Sequence, residues 1–179
     1  MKKVAILGGS GVVVESDDYE LAFRLATCLA RAGHQIMTAG FAGIASAVAA
    51  GARSVGQVPN VLLDVGQVQT CHFYEEEVRE DGYFVNLQAI VMQPEAYVFF
   101  PGNQGTRMQL QALLHMMDKG CVDAGRPIII CEDHGLTLYR LAEDFMEQGR
   151  AALQSNILIT RDLAKICEKL DRNQVAQGA

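Results

Sequence analysis

The stretch Phe99-Phe-Pro-Gly-Asn-Gln-Gly-Thr-Arg-Met-Gln-Leu-Gln111 compresses a strand end, a glycine loop and a helix start into one short segment. Val98, Phe99 and Phe100 read as the end of a buried strand, Pro101 and Gly102 stop it, and Gly105 and Thr106 open a helix. A glycine loop ahead of a helix leaves backbone N–H groups free to converge on one point. The positive end of the helix dipole faces the same point, so such a place holds phosphate. Thr106 and Gln109 also fit the S/T-x-x-E/Q capping box, which starts a helix and needs no ligand. The residues of the loop alone leave both readings open.

Upstream, Lys3 to Gly8 predicts a strand and Asp18 to Ala32 an amphipathic helix ended by Gly33. Gln35 to Thr38 is a second strand, Ala42 to Ala52 an alanine-rich helix, and Val58 to Asp64 a third strand. From Gly66 to Gly82 the chain turns polar, carries the acidic run Glu75-Glu76-Glu77, and reads as a mobile surface loop. Downstream, Val85 to Gln93 is a helix, Ala96 to Phe100 a strand and Thr106 to Lys119 a helix. On that last helix Leu110, Leu113, Leu114 and Met117 mark a core-facing stripe. Pro127 to Cys131, Leu136 to Gln148, Ile157 to Thr160 and Asp162 to Leu170 continue the alternation of strand and helix. Short apolar strands alternating with helices predict an α/β fold, a doubly wound and mostly parallel sheet with helices on both faces. With no repeat and no linker, residues 1–170 form one domain and 171–179 a frayed tail.

The 179 residues, half of them hydrophobic, suit a single domain with a substantial core. A formal net charge of -6 and the lack of any Lys/Arg run argue against a nucleic-acid partner. The opening MKKVAILGGSG is too short in its apolar part for a signal peptide and runs into glycines, so it reads as the first strand. No segment reaches the ~18 continuous apolar residues of a membrane span. Five scattered cysteines without a C-x-x-C pair are those of a reduced, cytoplasmic protein. The four histidines are dispersed. Cys71-His72 and Glu132-Asp133-His134 are the nearest approaches to a metal-binding spacing, and no metal site is expected.

In a doubly wound sheet, ligands bind outside the carboxyl ends of the strands where the strand order reverses. Three glycine loops have that placement: Gly8 to Gly11, Ala39 to Gly43, and Pro101 to Thr106. The candidate phosphate-binding residues are Gly9, Ser10, Gly40, Gly43, Gly102, Asn103, Gln104, Gly105, Thr106 and Arg107. Neither a G-x-G-x-x-G fingerprint nor a G-x-x-x-x-G-K-[ST] loop occurs, which speaks against a nicotinamide dehydrogenase or an ATPase.

With these loops identified, the chain resembles the Lonely Guy family of nucleotide phosphoribohydrolases, long labelled lysine decarboxylase-like. It is closer still to the related Rossmann-fold nucleotide-binding branch that includes the molybdenum-cofactor carrier protein. The resemblance runs from Val4 to about Leu170. It is carried by VAILGGSG followed by Tyr19 and Ala22, by IMTAGFAGIASAVAAGA, and by VFFPGNQGT where the family has PGGxGT. It implies a Rossmann-like fold, a phosphorylated small molecule as partner, a bound nucleotide or molybdenum cofactor-like ligand, and a homodimer.

The chain also departs from the hydrolases of that family. Gln109 stands where their PGGxGTxxE motif ends in a catalytic glutamate, and Asn86 falls where they carry an arginine on the preceding helix. Asn103 replaces the second glycine of PGG, and Ala39 replaces a glycine of the middle loop. Gln109 has the shape of glutamate without its charge, and Asn86 cannot replace a guanidinium. The expectation is therefore a nucleotide- or cofactor-binding protein without hydrolase activity. The alternatives are a nucleoside monophosphate hydrolase whose carboxylate comes from Glu75 to Glu77 or Asp81, and an interaction protein with a vestigial pocket. No lysine is placed for a pyridoxal phosphate site, which speaks against the decarboxylase label.

Overall fold

The computed structural model describes residues 1–40, 42–64, 78–132, 137–147 and 155–172. Seven strands form one sheet: β1 (Lys3–Leu7), β2 (Gln35–Ala39), β3 (Asn60–Asp64), β4 (Val78–Asp81), β5 (Ala96–Phe99), β6 (Ile128–Ile130) and β7 (Ile157–Ile159). Among the described residues the helices are α1 (Asp17–Arg31), α2 (Ile44–Arg53), α3 (Tyr83–Met92), α4 (Gln104–Asp118), α5 (Thr137–Glu147) and α6 (Leu163–Arg172). The strand order is β4-β3-β2-β1-β5-β6-β7, and every pairing is parallel. The Rossmann-like, doubly wound reading of the sequence therefore holds.

Side-chain alternation along the central strands builds two cores. Val4 and Ile6 of β1, with Ile36, Val98 and Ile129, face α1, α2 and α6 through Leu25, Leu29, Val48, Ile166 and Leu170. Ala5 and Leu7, with Met37, Tyr97, Phe99 and Ile128, face α3, α4 and α5 through Ile90, Leu110, Leu113, Leu114 and Leu138. Both faces of the sheet are covered, which is why the central strands read as unbroken apolar runs.

The alanines of α2 serve packing within the chain. Ala45, Ala47, Ala49 and Ala52 are buried, and a Cβ on Gly51 would sit 2.3 Å from the Phe23 carbonyl oxygen of α1. Small residues let the two helices meet backbone to backbone, and Thr27 Oγ1 donates to the Gly51 carbonyl at 3.1 Å.

Two sequence expectations need correction. Residues 66–82 were expected to be irregular, yet Val78 to Asp81 pairs with Val61 to Asp64 as an edge strand. The Glu75 to Glu77 run lies outside the described residues. The capping box at Thr106 and Gln109 does not form: α4 starts at Gln104 with Asn103 as its cap, so Thr106 lies inside the first turn and is buried.

Candidate functional site

After β1 the chain moves outward on one side of the sheet through β2, β3 and β4, then returns to place β5 on the other side of β1. The carboxyl ends of β1 and β5 flank the reversal, and the loops Gly8 to Gly11 and Pro101 to Asn103 leave from there. The Gly9 N–H donates to the Pro101 carbonyl at 3.0 Å, and the Ile44 N–H donates to the Gly9 carbonyl at 3.1 Å. All three glycine loops are joined through Gly9.

These contacts explain several glycines without a ligand. A Cβ on Gly8 would lie 2.6 Å from Ile44 Cγ1 and 2.8 Å from Phe100 Cβ. Gly43 has φ +59°, and a Cβ there would lie 2.2 Å from the Gly9 carbonyl oxygen. On Gly102 it would lie 2.2 Å from Thr106 Oγ1 and 2.9 Å from the Gly9 nitrogen. Gly40 and Gly105 differ: among the described residues a Cβ on either meets nothing within 4 Å and both border open space, although Gly40, at φ +94°, also holds a backbone conformation that favours glycine.

That space is a cleft of about 180 Å³ lined by Ala39, Gly40, Leu62, Tyr83, Asn86, Leu87, Gly105, Thr106 and Gln109. Asn86 and Thr106 are buried, and Gln109 is half-buried. Counting back from Pro101 thus puts Asn86 in the same cleft as Gln109. Among these lining residues there is no carboxylate, guanidinium or ammonium group. Ser10, Asn103 and Gln104 are exposed on the adjoining loops. Arg107 does not line the cleft; it is half-buried, and its Nε has no hydrogen-bond partner among the described residues. Asp81, a candidate carboxylate of the hydrolase alternative, is the last residue of β4.

Helix starts divide into two sets. Ser16 Oγ caps α1 by accepting from the Tyr19 N–H at 3.3 Å. Glu132 Oε2 accepts from the Leu138 and Tyr139 N–H groups of α5 at 2.7 and 3.0 Å. Asp162 Oδ1 does the same for Ala164 and Lys165 of α6 at 2.9 and 3.3 Å. By contrast α2, α3 and α4, capped by Gly43, Gly82 and Asn103, receive no side-chain bond from their cap residues. These three helices follow or begin with cleft residues: Gly40 before α2, Tyr83 in α3, and Gly105 and Thr106 in α4. First-turn amides have no acceptor within their own helix, so an uncapped start offers them to something else.

Sequence reasoning missed Leu62, Tyr83 and Leu87. The last two were within reach: residues 83, 86 and 87 share one helix face, so placing Asn86 at the site brings its neighbours there.

Fold and crevice together define a Rossmann-like α/β domain with its opening at the strand-order reversal. No protein-family model and no curated protein matches the chain. Solved structures do match. TM1055, a structural genomics target, superposes with a TM-score of 0.69 at 17% identity, covering 96% of this chain and 99% of its own. The molybdenum cofactor carrier protein of Chlamydomonas reinhardtii gives 0.66 at 14%, covering 96% and 98%. The molybdenum cofactor binding protein of the phototrophic bacterium Rippkaea orientalis gives 0.64 at 16%, covering 97% and 96%. At these identities the likeness is one of fold. It fits the resemblance to the Lonely Guy-like, molybdenum-cofactor-carrier branch read from the glycine motifs.

Proposed function

We propose that this protein binds a phosphorylated small molecule, a nucleotide or a phosphorylated nucleoside-like cofactor, in the crevice at the strand-order reversal, and does not hydrolyse it. The observation that carries this reading is the division of helix starts among the described residues: the starts of α1, α5 and α6 receive side-chain bonds from Ser16, Glu132 and Asp162, while the cap residues Gly43, Gly82 and Asn103 of the cleft helices give none. The first-turn amides of Gln104, Gly105 and Thr106 and the Thr106 hydroxyl form the phosphate cradle, with Ser10 and Gly102 beside it. Gly9 contributes by holding the loops together, because its amide is already bonded to Pro101.

The described lining residues of the cleft carry no charge and suit the uncharged part of such a ligand. Asn86 and Gln109 are both uncharged amides, the chemistry that pairs with the amide-like edge of a heterocycle. The names of the two molybdenum cofactor proteins support a cofactor-sized ligand, and the donor set fits a molybdenum cofactor-like molecule as well as a nucleotide. Lack of hydrolysis follows from the uncharged pair Asn86 and Gln109. A general acid or base typically supplies ~10²–10⁴ in rate, and neither residue can act as one. The same reading makes the protein a cytoplasmic homodimer without nucleic-acid or membrane partners; no helix among the described residues is long and apolar enough to cross a membrane.

Native mass spectrometry of the purified protein tests this reading. A retained ligand of nucleotide or cofactor mass that is displaced by added nucleotide or pyrophosphate supports it. Apo protein that takes up none of these at millimolar concentration contradicts it.

A further inference from the structure

Cys28 of α1 and Cys167 of α6 stand with their sulfurs 3.4 Å apart, although 139 positions separate them in the chain. The contact is held from below, because Leu163 and Cys167 pack against the core that contains Leu25 and Leu29. A disulfide sets its sulfurs at ~2.05 Å, so these two have about 1.4 Å left to travel. Both side chains are half-buried, which leaves them room to move.

One of the two thiols opens outward. A groove of about 280 Å³ is lined by Phe23, Arg24, Thr27, Cys28, Arg31 and Leu163. Arg24 and Arg31 are exposed and stand one turn before and one turn after Cys28 on the same helix face. The lining therefore holds a thiol between two guanidinium groups and contains no carboxylate. Arg24 also reaches Glu20 at 3.9 Å, on the exposed surface of α1. Cys167 is not part of the lining and is reached through Cys28.

We infer that Cys28 and Cys167 form a redox-active dithiol, entered at Cys28 by a low-molecular-weight disulfide that carries carboxylates. The Cys28 thiolate attacks one sulfur of the small disulfide, whose S–S bond breaks and releases one small thiolate. Cys28 is then a mixed disulfide. The Cys167 thiolate attacks the Cys28 sulfur, expels the second small thiolate and closes the Cys28–Cys167 bond. The protein dithiol loses two electrons, the small disulfide is reduced to two thiols, and the two protein protons end on those thiols. Burial pushes the Cys167 thiol up to about 12, so the second step is the slower one. The new bond ties α1 to α6, and a link across 139 positions constrains the unfolded chain. Oxidation is thereby a clamp on α6.

The inference uses nothing of the ligand crevice and stands apart from the proposed function. Reaction of the native full-length protein with oxidised glutathione at pH 8 tests it, followed by alkylation of the remaining thiols and peptide mapping without reductant. The wild type should yield a linked Cys28–Cys167 peptide pair that added dithiothreitol reopens. Cys167→Ser should stop at a glutathionyl adduct on Cys28, and Cys28→Ser should leave Cys167 free. Reversing both charges, Arg24→Glu with Arg31→Glu, alters two exposed side chains. It should lower the rate with oxidised glutathione about tenfold relative to the rate with uncharged hydroxyethyl disulfide. The oxidised wild type should also unfold at a higher urea concentration than the reduced protein. Cys28 and Cys167 both still alkylatable after exposed Cys121 has reacted fully, or a link from Cys28 to any other cysteine, would overturn the dithiol. An unchanged ratio of the two rates would overturn the anionic preference of the groove, and an equal or lower urea midpoint would overturn the clamp.

Discussion

The Gly9 amide donates to the Pro101 carbonyl at 3.0 Å, and the loops after β1 and β5 are thereby in direct backbone contact. The contact lies where the chain reverses its direction across the sheet. It holds the uncapped start of α4 beside the first glycine loop, so loop geometry and ligand geometry are set together.

The glycines of the third loop should therefore separate by role. Gly102→Ala places a methyl 2.2 Å from Thr106 Oγ1 and 2.9 Å from the Gly9 nitrogen. It should destabilise the fold by about 1–3 kcal/mol through forced backbone shifts. Gly105→Ala meets nothing within 4 Å and lies in a helix, where alanine is favoured by about 1 kcal/mol over glycine. It should leave stability unchanged or raised. Urea denaturation of both variants checks the pair.

Thiol chemistry should follow burial. Desolvation pushes the Cys131 thiol up to about 12. Cys167 is likewise raised to about 12, first by desolvation and then by its contact with Cys28, whose Sγ lies 3.4 Å away. At pH 8 a thiol reagent should modify exposed Cys121 first among the four described cysteines and reach Cys131 only on unfolding. Because these thiols hold their protons more tightly when folded, their stabilising contribution is complete below the unfolded pKa of ~8.5. It is lost as pH rises from there toward 12. Denaturation midpoints at pH 8 and pH 10.5 should show a decline, and Cys131→Ala and Cys167→Ala should each flatten it.

Much of the architecture was legible because central parallel strands are buried on both faces: Val4 to Leu7 and Ala96 to Phe99 are uninterrupted apolar runs. The strand Val78 to Asp81 was not legible, since Val-Arg-Glu-Asp carries neither an apolar run nor alternation, and only an edge position tolerates it. At the site, the glycine loops announced themselves but not their division of labour. Gly43 and Gly102 serve close loop contacts while Gly40 and Gly105 border open space, a distinction that depends on which atoms other loops bring near. The cleft lining by Leu62 depended on the pairing of β2 with β3, which no local pattern encodes.

Incubation of stoichiometric protein with AMP, GMP, CMP and UMP should release no ribose 5-phosphate or free base detectable by chromatography. Gln109→Glu alone should not create useful turnover, because groups that act as a unit are strongly non-additive and Asn86 would still lack a positive charge. Product formation by the native protein, abolished by Thr106→Val and untouched by Gln109→Ala, would instead indicate a hydrolase with its carboxylate elsewhere.

The most direct test of phosphate binding at the start of α4 is an equilibrium titration of labelled nucleoside 5′-monophosphate or pyrophosphate into the wild type, Gly105→Val and Gln111→Ala. The Gly105 Cβ position is free of clashes and borders the cleft, so the valine variant should fold while filling the phosphate position. The account predicts binding by the wild type and by Gln111→Ala, with at least a tenfold loss, about 1.4 kcal/mol, in Gly105→Val. Equal affinities in all three proteins would contradict it by removing the phosphate from this loop.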